Sequence, residues 1–270
     1  MSNLSTSTSV NSPIQYIPTR ESMQPDVYAA PTMKEEYLPF TVRPVSCEDD
    51  LRKAIQLRHL AYSRHMPLFA ESLKVPESDD VDDDVVVLMA ESKLDGAVLG
   101  TVRIQTNRYN QLNLEQSVAL PSWLKGHSIA EVRRLAVAPG SPGRLVKMVL
   151  LKACLEYSIK NDLDWIVVAA RSPLDRTYEQ LTFRDLLGGE TFIPLPRENN
   201  VSHRVLGIET ELVSSQLKAA NHPLLNFFCF TNHRDIKLDG RTYTSPIMAK
   251  HQPVVDDNYL GRLTTTMLAG

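Results

Sequence analysis

The sequence has few of the residues that build disulfide frameworks or metal sites. It contains three cysteines, Cys47, Cys154 and Cys229, and no two of them form a CxxC pair. Its seven histidines form no HxxxH pair. Because neither disulfides nor a metal site are indicated, we predict reduced cysteines, no bound metal and a cytoplasmic location.

Long apolar runs and an excess of positive charge are also missing. No apolar stretch approaches the roughly 20 residues that a helix needs to cross a bilayer. The first residues, MSNLSTSTSVNSP, have neither the basic start nor the apolar stretch of a secretory signal. The formal net charge is -3, so overall charge does not attract nucleic acid. We therefore expect no transmembrane segment and no nucleic-acid partner.

The chain does have enough apolar sequence for a sizeable core. Of its 270 residues, 43% are apolar and 23% are charged, which predicts a globular protein. Residues 1–38 are rich in Ser, Thr and Pro and predict a flexible N-terminal tail. Residues 239–270 lack periodicity and predict a poorly defined C-terminal extension, which leaves 39–238 as the single domain.

Strand and helix patterns alternate within this domain. The predicted strands lie in 37–45, 85–92, 97–107, 129–137, 163–170, 190–195 and 203–212. The predicted helices lie in 48–66, 143–161 and 173–189. Residues 221–230 fit either type. This order predicts an α/β fold, a mixed sheet with helices on its faces.

A glycine- and proline-rich loop joins the strand at 129–137 to the helix that begins near 143. Such a loop leaves several backbone N–H groups unpaired where the helix dipole adds positive potential, which favours an anion. Gly140 and Gly143 permit close approach, and Arg144 and Lys147 add positive charge. An ordinary strand-to-helix connection with surface bases remains the alternative.

The strand before this loop, EVRRLAV, is too polar for a simple core strand. Alternation places Glu131 and Arg133 on one face and Arg134 on the other, unless a bulge shifts the phase. A carboxylate such as Glu131 can take a proton from an attacking amine. The alternative is that Glu131 only pairs with a neighbouring arginine.

Two segments, LAVAPGSPGRLV and SPLDRTYEQLTF, resemble the GNAT acyltransferase superfamily. The resemblance implies a GNAT-like fold with a central, mostly antiparallel twisted sheet. It also implies that the first segment holds the pantetheine arm of an acyl donor, that main chain near Val137 binds the oxyanion, and that Tyr178 protonates the departing thiolate. A core aromatic is the alternative for Tyr178. The implied donor-binding residues are Leu135, Ala136, Gly140, Gly143, Arg144 and Lys147.

Other segments are similar to one branch of that superfamily. GSPGRLVK keeps only part of the coenzyme A motif, whereas EVRRLAV, LRHLAY, the aspartate-rich DDVDDD and LGTVRI resemble the N-acyl amino acid synthases of the FeeM type and the acyl-homoserine lactone synthases. The resemblance covers residues 40–238. Guanidinium groups match carboxylates bidentately, so we predict an acceptor site that contains Arg58, Tyr62, Arg103, Arg134 and Arg171.

These resemblances predict an N-acyltransferase that moves a long acyl chain from an acyl-carrier-protein thioester to the amine of an amino acid. Acyl-carrier protein or coenzyme A would carry the acyl co-substrate, with no tightly bound cofactor. Three alternatives stay open. They are an acetyl-CoA-dependent enzyme acting on a small amine or peptide, a catalytically silent module that binds an acyl carrier or lipid, and a lactone synthase.

Two groups of charged residues each allow two interpretations. A solvated loop is the favoured interpretation of the acidic residues Asp79, Asp80, Asp82, Asp83 and Asp84, and closure of the acceptor site is the alternative. The run lacks the glycine and glutamate of a calcium-binding EF-hand. Arg144, Lys147 and Lys152 share one side of a helix, where they would suit an acidic carrier protein. A solvated helix face is the alternative.

Overall fold

The computed structural model describes residues 33–140, 143–239 and 242–243, which belong to one compact unit. Its strands are β1 Lys34–Glu36, β2 Phe40–Pro44, β3 Val85–Ser92, β4 Val98–Thr106, β5 Ile129–Val137, β6 Trp165–Ala170, β7 Arg184–Asp185, β8 Phe192–Leu195, β9 Val201–Glu209 and β10 Thr231–His233. Its α-helices are α1 Glu48–Ser63, α2 Pro67–Ser72, α3 Gly143–Lys160, α4 Leu174–Gln180 and α5 Val213–Ala219.

Eight of the strands form one sheet in the order β2-β3-β4-β5-β6-β9-β7, with β8 also paired to β9. Every neighbouring pair in this sheet is antiparallel except β5 and β6, which are parallel. The crossover between these two strands is α3, as a parallel connection requires. The mixed and mostly antiparallel sheet predicted from the sequence is confirmed.

Helices cover both faces of the sheet, and β3 shows why. Its apolar run is buried on both sides, because Val86 and Leu88 belong to the core under α3 while Val85, Val87 and Met89 belong to the core under α1. Since successive side chains point to opposite faces of a strand, one uninterrupted apolar run can serve two cores.

The predicted helix over 173–189 is wrong in its second half. Helix α4 ends at Gln180, and Thr182 adopts a left-handed conformation with φ 68°. Arg184–Asp185 then pairs with β9 as strand β7. The apolar spacing after Gln180 is compatible with a continued helix, but these residues pair with β9 instead, which the local pattern cannot show.

Two short strands pair near the two ends of the predicted domain. Strand β1 lies within the predicted tail and pairs in parallel with β10, which falls after the undecided segment 221–230. That segment contains a π-helical turn at Asn226–Phe230. Residues 1–32 of the tail, and the predicted extension apart from residues 239 and 242–243, lie outside the described residues. The domain boundaries stay a prediction.

Gly100 in β4 lets α3 approach the sheet closely. A Cβ at this position would lie 2.6 Å from Val146 Cγ1, 2.9 Å from Leu150 Cδ1 and 3.2 Å from the Ala136 carbonyl oxygen. We expect Gly100→Ala to lower the free energy of unfolding by about 1–3 kcal/mol, because the helix must move away. Urea unfolding measures this change.

The double variant Gly100→Ala, Val146→Ala is the matched control for that change. Val146→Ala removes the atom nearest to the added methyl, so the double variant should lose less stability than the sum of the single variants. Additive losses would contradict the proposed overlap.

Candidate active site

The strands β5 and β6 separate before either of them ends. Their parallel pairing runs from Ile129 and Trp165 to Val132 and Val168 and then stops. Beyond that point β5 stays paired with β4 as far as Val137. The Ala138 amide donates to the Leu99 carbonyl of the β4 side at 2.8 Å. Because amide directions alternate along a strand, the Val137 N–H points toward the gap.

An extra residue in β5 lies at the start of this gap. Thr101 pairs with Ala136 but Arg103 pairs with Arg133, so β5 uses one more residue than β4 over this span. Arg134 has φ 54°, a conformation that is rare outside glycine. The bulge brings both arginines to one side, where each donates to Glu198. The bulge shifts the phase of the side-chain alternation, which is the exception that the sequence left open.

A polar cavity of about 80 Å³ lies beside the gap on the α1 face of the sheet. Among its lining residues are the predicted Glu131, Tyr62, Arg134 and Arg171. The structure therefore brings the predicted carboxylate together with three of the five predicted acceptor residues. The other two, Arg58 and Arg103, do not line the cavity.

Glu131 is 1% exposed and faces this cavity. One carboxylate oxygen accepts a hydrogen bond from the Leu114 amide at 2.9 Å, and the other lies 3.4 Å from Arg133 Nε. Burial raises the pKa of Glu131 above its ordinary value, and the Arg133 charge and the Leu114 hydrogen bond only partly oppose that shift. A carboxylate with a raised pKa is suited to accept a proton near neutral pH.

Arg58 and Arg103 lie behind the cavity wall and pair with carboxylates of the acidic segment. Both guanidinium groups are 1% exposed, and both donate to Asp80 at 3.0–3.1 Å. Arg103 also lies 3.2 Å from Glu77. These internal carboxylates take the place of a substrate carboxylate, so direct contact between these two arginines and an acceptor is not supported by this geometry.

The acidic run is not the solvated loop that its composition suggests. Asp79, Asp80 and Asp84 are buried, and Ser78–Val81 forms a 3₁₀ helix against the arginines. Buried charges are tolerated when they are paired, and Asp80 and Asp79 supply counter-ions to Arg58 and Arg103. Neither carboxylate oxygen of the buried Asp84 has a hydrogen-bond partner among the described residues.

Glu77 connects this buried network to the cavity. It accepts two hydrogen bonds from Arg134, at 2.6 and 2.8 Å, and the guanidinium of Arg134 also stacks 4.9 Å from the centre of the Phe69 ring. Arg134 is thus held by Glu77, Glu198 and Phe69. This fixed cation forms one wall of the cavity.

Arg171 differs from the other cavity arginines. It is half-buried, and no carboxylate of the described residues pairs with its guanidinium group. Arg133, Arg134 and Arg197 each have an internal carboxylate partner. An anionic ligand in the cavity would therefore meet Arg171 as the cation that is still available.

A second opening begins where β5 ends. This groove, of about 880 Å³, is lined by the predicted donor residues Gly143, Arg144 and Lys147, together with Val137. Arg144 is exposed and Lys147 is half-buried, while Gly143 begins an 18-residue helix without acidic residues in its first turn. The N-terminus of such a helix favours an anion.

The remaining donor residues lie near this groove but do not line it. Ala136 is buried and Leu135 half-buried within β5, and both belong to the strand that forms its edge. Gly140 has φ 71°, which glycine adopts without strain. The loop residues Ser141 and Pro142 lie outside the described residues.

Lys152 does not belong to the basic side of α3 that the sequence suggests. Its side chain is fully buried, and its ammonium donates to the Phe227 carbonyl at 2.7 Å and to the Thr231 carbonyl. It joins α3 to the C-terminal part of the fold. Only Arg144 and Lys147 of the three predicted bases can meet a partner.

Tyr178 faces a third, apolar cavity on the α3 side of the gap. This cavity of about 30 Å³ is lined by Val132 and Val168, where the strands separate, and by residues of α3, α4 and α5. The Tyr178 ring packs edge-on against Phe183 at 5.2 Å, and burial raises the pKa of its hydroxyl. Tyr178 therefore lies in an apolar environment near the gap rather than in the donor groove.

Several cavity residues were missed in the sequence. Glu198, Arg197 and His203 reach the cavity from the hairpin of β8 and β9. The available signal was the charged pair Arg197 and Glu198 before Asn199 and Asn200. Both asparagines adopt left-handed conformations, with φ 52° and 57°. Two consecutive asparagines between strands favour such a turn, but nothing in the spacing indicates where the hairpin lies.

Glu77 should make stability depend on pH. Burial opposes its ionisation, but the hydrogen bonds and charge of Arg134, together with the charges of Arg103 and Arg58, lower its pKa from 4.5 to about 2. Ionised Glu77 therefore stabilises the fold at pH values above 4.5, the pKa of this group in the unfolded chain. This stabilisation is lost as the pH falls from 4.5 toward 2. We expect Glu77→Gln to cost about 3–5 kcal/mol at pH 7, with a smaller difference near pH 3.

Urea unfolding of the wild type and the variant across this pH range measures that difference. Glu71→Gln is the matched control, because Glu71 is exposed and its ion pair with Lys74 lies at the surface. The control should change stability by less than about 1 kcal/mol. A constant difference between Glu77→Gln and wild type at all pH values would contradict the prediction.

The described ranges contain neither a candidate membrane-spanning helix nor a candidate metal site. In those ranges, no helix has both the length and the apolar content that a bilayer span needs. The described residues also bring no three histidine, cysteine or carboxylate side chains together as a metal site would. That no metal is bound stays a prediction.

Comparison with known structures shows similar folds. The structure of FeeM, an N-acyl amino acid synthase from uncultured soil microbes, has a TM-score of 0.52 at 16% identity and covers 67% of this chain and 96% of FeeM. The CoA-dependent acyl-homoserine lactone synthase BjaI has a TM-score of 0.50 at 18% identity and covers 76% of this chain and 95% of BjaI. At these identities the likeness concerns the fold.

Comparison with sequence families identifies the family as well as the fold. Among curated proteins, no sequence matches this chain. The family model described as N-acyl amino acid synthase FeeM matches residues 53–196, which is more than half of the chain. The match includes α3, β5 and β6 and therefore the gap between the two strands. The chain belongs to the FeeM family of N-acyl amino acid synthases and is an acyltransferase with a GNAT-like fold.

Proposed function

We propose that this enzyme transfers a long acyl chain from an acyl-carrier-protein thioester to the amine of an amino acid, giving an N-acyl amino acid. The observation that carries the proposal is the arrangement of three openings around one gap between β5 and β6. A basic groove leads to the gap, a polar cavity lies on one side of it and an apolar cavity on the other.

Each opening suits one part of the two substrates. The groove at the start of α3 suits the phosphate and pantetheine of a donor, and Arg144 and Lys147 suit an acidic carrier protein. The apolar cavity suits an acyl chain. It encloses about 30 Å³, so a long chain would have to displace side chains there. The polar cavity, with Arg171 free, suits the carboxylate and amine of an amino acid.

The reaction forms an N–C bond and breaks a C–S bond. The amine attacks the thioester carbon from the polar cavity, with Glu131 as proton acceptor. The Val137 N–H, which points into the gap, would donate to the oxyanion. Tyr178 would protonate the departing thiolate, and its neutral hydroxyl is favoured by burial. Positioning of the two substrates should supply much of the rate, since a thioester already reacts with amines.

Mass spectrometry of organic extracts from a host that expresses the protein tests this function directly. We expect N-acyl amino acids with long chains. Purified enzyme should then be compared on long-chain acyl-carrier protein, the same acyl chain on coenzyme A, and acetyl-CoA. Preference for the carrier protein supports the proposal, whereas preference for acetyl-CoA would replace it with a coenzyme A-dependent acetyltransferase.

Coenzyme A remains the second candidate donor, because BjaI is described as CoA-dependent and shares the fold. The donor comparison decides between the two carriers. A cytoplasmic location remains our prediction from the few, unpaired cysteines.

Glu131→Gln should lower turnover by about 10²-fold or more at neutral pH, as expected for the loss of a general base. The amide oxygen of glutamine can still accept the Leu114 N–H, so the fold should be preserved. Steady-state kinetics with saturating donor measure the loss, and thermal unfolding checks the fold. Wild-type turnover by a folded variant would remove Glu131 from the mechanism.

Arg171→Met should raise the KM for the amino acid by roughly 10-fold to 100-fold, the effect of losing a charged hydrogen bond. The KM for the acyl donor should change little. Arg176→Met is the matched control, because Arg176 is exposed on the neighbouring helix α4. A raised donor KM with an unchanged acceptor KM would contradict an acceptor role for Arg171.

A further inference from the structure

His203 is a buried side chain of the polar cavity that the mechanism above does not use. It is 7% exposed and lines the cavity together with Glu131 and Arg171. Its Nδ1 lies 2.7 Å from the carbonyl oxygen of Val201. Because a carbonyl oxygen only accepts hydrogen bonds, Nδ1 carries the proton and Nε2 keeps a lone pair.

The surroundings of His203 favour this neutral form. Burial lowers its pKa, the positive charges of Arg171 and Arg134 act in the same direction, and the Val201 hydrogen bond and Glu198 act against it. Among the described residues, none donates a hydrogen bond to Nε2. The titratable and charged side chains that share the cavity are Tyr62, Glu131, Arg133, Arg134, Arg171, Arg197 and Glu198.

The proton balance of amide formation calls for more than one proton acceptor. An amino acid is an ammonium ion at neutral pH, with three protons on nitrogen. The amide product keeps one, the thiol product takes one, and one must leave to solvent. Nitrogen therefore loses one proton before it attacks and another after the N–C bond has formed. A single carboxylate would have to discharge the first proton before it could take the second.

We propose that His203 Nε2 takes the first proton, from the ammonium group of the bound amino acid, and that Glu131 takes the second. This inference rests on the proposed function. Tyr178 gives its proton to the thiolate when the C–S bond breaks. After the products leave, His203 and Glu131 each release a proton to solvent and Tyr178 regains one from solvent, so that one proton leaves in all. With His203 and Glu131 in one cavity, each of the two protons that leave nitrogen has its own acceptor.

His203→Asn separates this role from a structural one. The asparagine amide nitrogen occupies the place of Nδ1 and can keep the hydrogen bond to Val201, but nothing replaces Nε2. With an amino acid at neutral pH we expect kcat/KM to fall by about 10²-fold. With aminooxyacetate, which keeps the carboxylate but is unprotonated at neutral pH, the loss should be much smaller. The donor KM should not change.

The pH profile provides the second kinetic readout. As pH rises, more of the amino acid is present as free amine, so the ratio of wild-type to variant activity should decrease. Equal losses with both nucleophiles at every pH would show that His203 is only structural. Full activity of the folded variant would refute the role of His203 and leave the proposed function intact. A wild-type enzyme that acylates no amino acid would refute the proposed function itself.

Nitrogen-15 NMR of the imidazole tests the inference without any activity. The His203 signals are assigned by their loss in His203→Asn. In the wild-type chain at neutral pH we expect the tautomer with protonated Nδ1 and unprotonated Nε2. A tautomer protonated at Nε2, or a fully protonated ring, would overturn the proposal whatever the kinetics show.

Discussion

The extra residue at Arg134 is the constraint on which the site depends. It changes the register between β4 and β5, and it coincides with the point where β5 and β6 stop pairing. A bulge bends its strand and increases the local twist, which accounts for the separation of a parallel pair in the middle of a continuous sheet. The gap, the Val137 N–H that points into it and the cavities on its two sides all lie next to this one irregularity.

The left-handed conformation of Arg134 must be held in place by its surroundings. Glu77, Glu198 and Phe69 fix its side chain, and Arg58 and Arg103 reach the same network through Asp80 and Glu77. Each of these ion pairs lies within the protein, where an unpaired charge would be costly. The acidic segment that looks like a solvated loop in the sequence therefore supports the arginine network beside the candidate site.

The same network explains which groups remain available for chemistry. Arg133, Arg134 and Arg197 are paired with internal carboxylates, which is why we propose Arg171 as the arginine that meets an anionic substrate. Glu131 and His203 are held by main-chain groups, the Leu114 amide and the Val201 carbonyl. Side chains positioned by main chain have fixed orientations, which proton transfer requires.

Local patterns allowed much of the fold to be predicted from the sequence. The predicted strand at 129–137 matches β5, and the predicted helix at 143–161 differs from α3 by one residue, because apolar period and flanking glycines define both. Pairings between distant segments could not be predicted in the same way. Strands β1, β7 and β10 are short and form by pairing with strands distant in sequence. Glu198 and His203 reach the cavity through a hairpin whose position the sequence does not indicate.

The predicted arginines show the same limit. The sequence supplied Arg58, Arg103 and Arg171 as equivalent candidates for a carboxylate, since each has the same chemistry. Which of them is free depends on the counter-ions that the fold brings to each. Asp80 occupies the first two, and only the folded structure distinguishes the third.

The most direct measurement of the central claim is a crystal structure of the enzyme with a non-reactive acyl-pantetheine analogue. We predict that its carbonyl oxygen lies within hydrogen-bond distance of the Val137 amide, between β5 and β6. Its acyl chain should enter the apolar cavity under α3, with the polar cavity of Glu131 left open for the amine. A complex in which the analogue lies outside the gap, with β5 and β6 closed by side chains, would contradict the account.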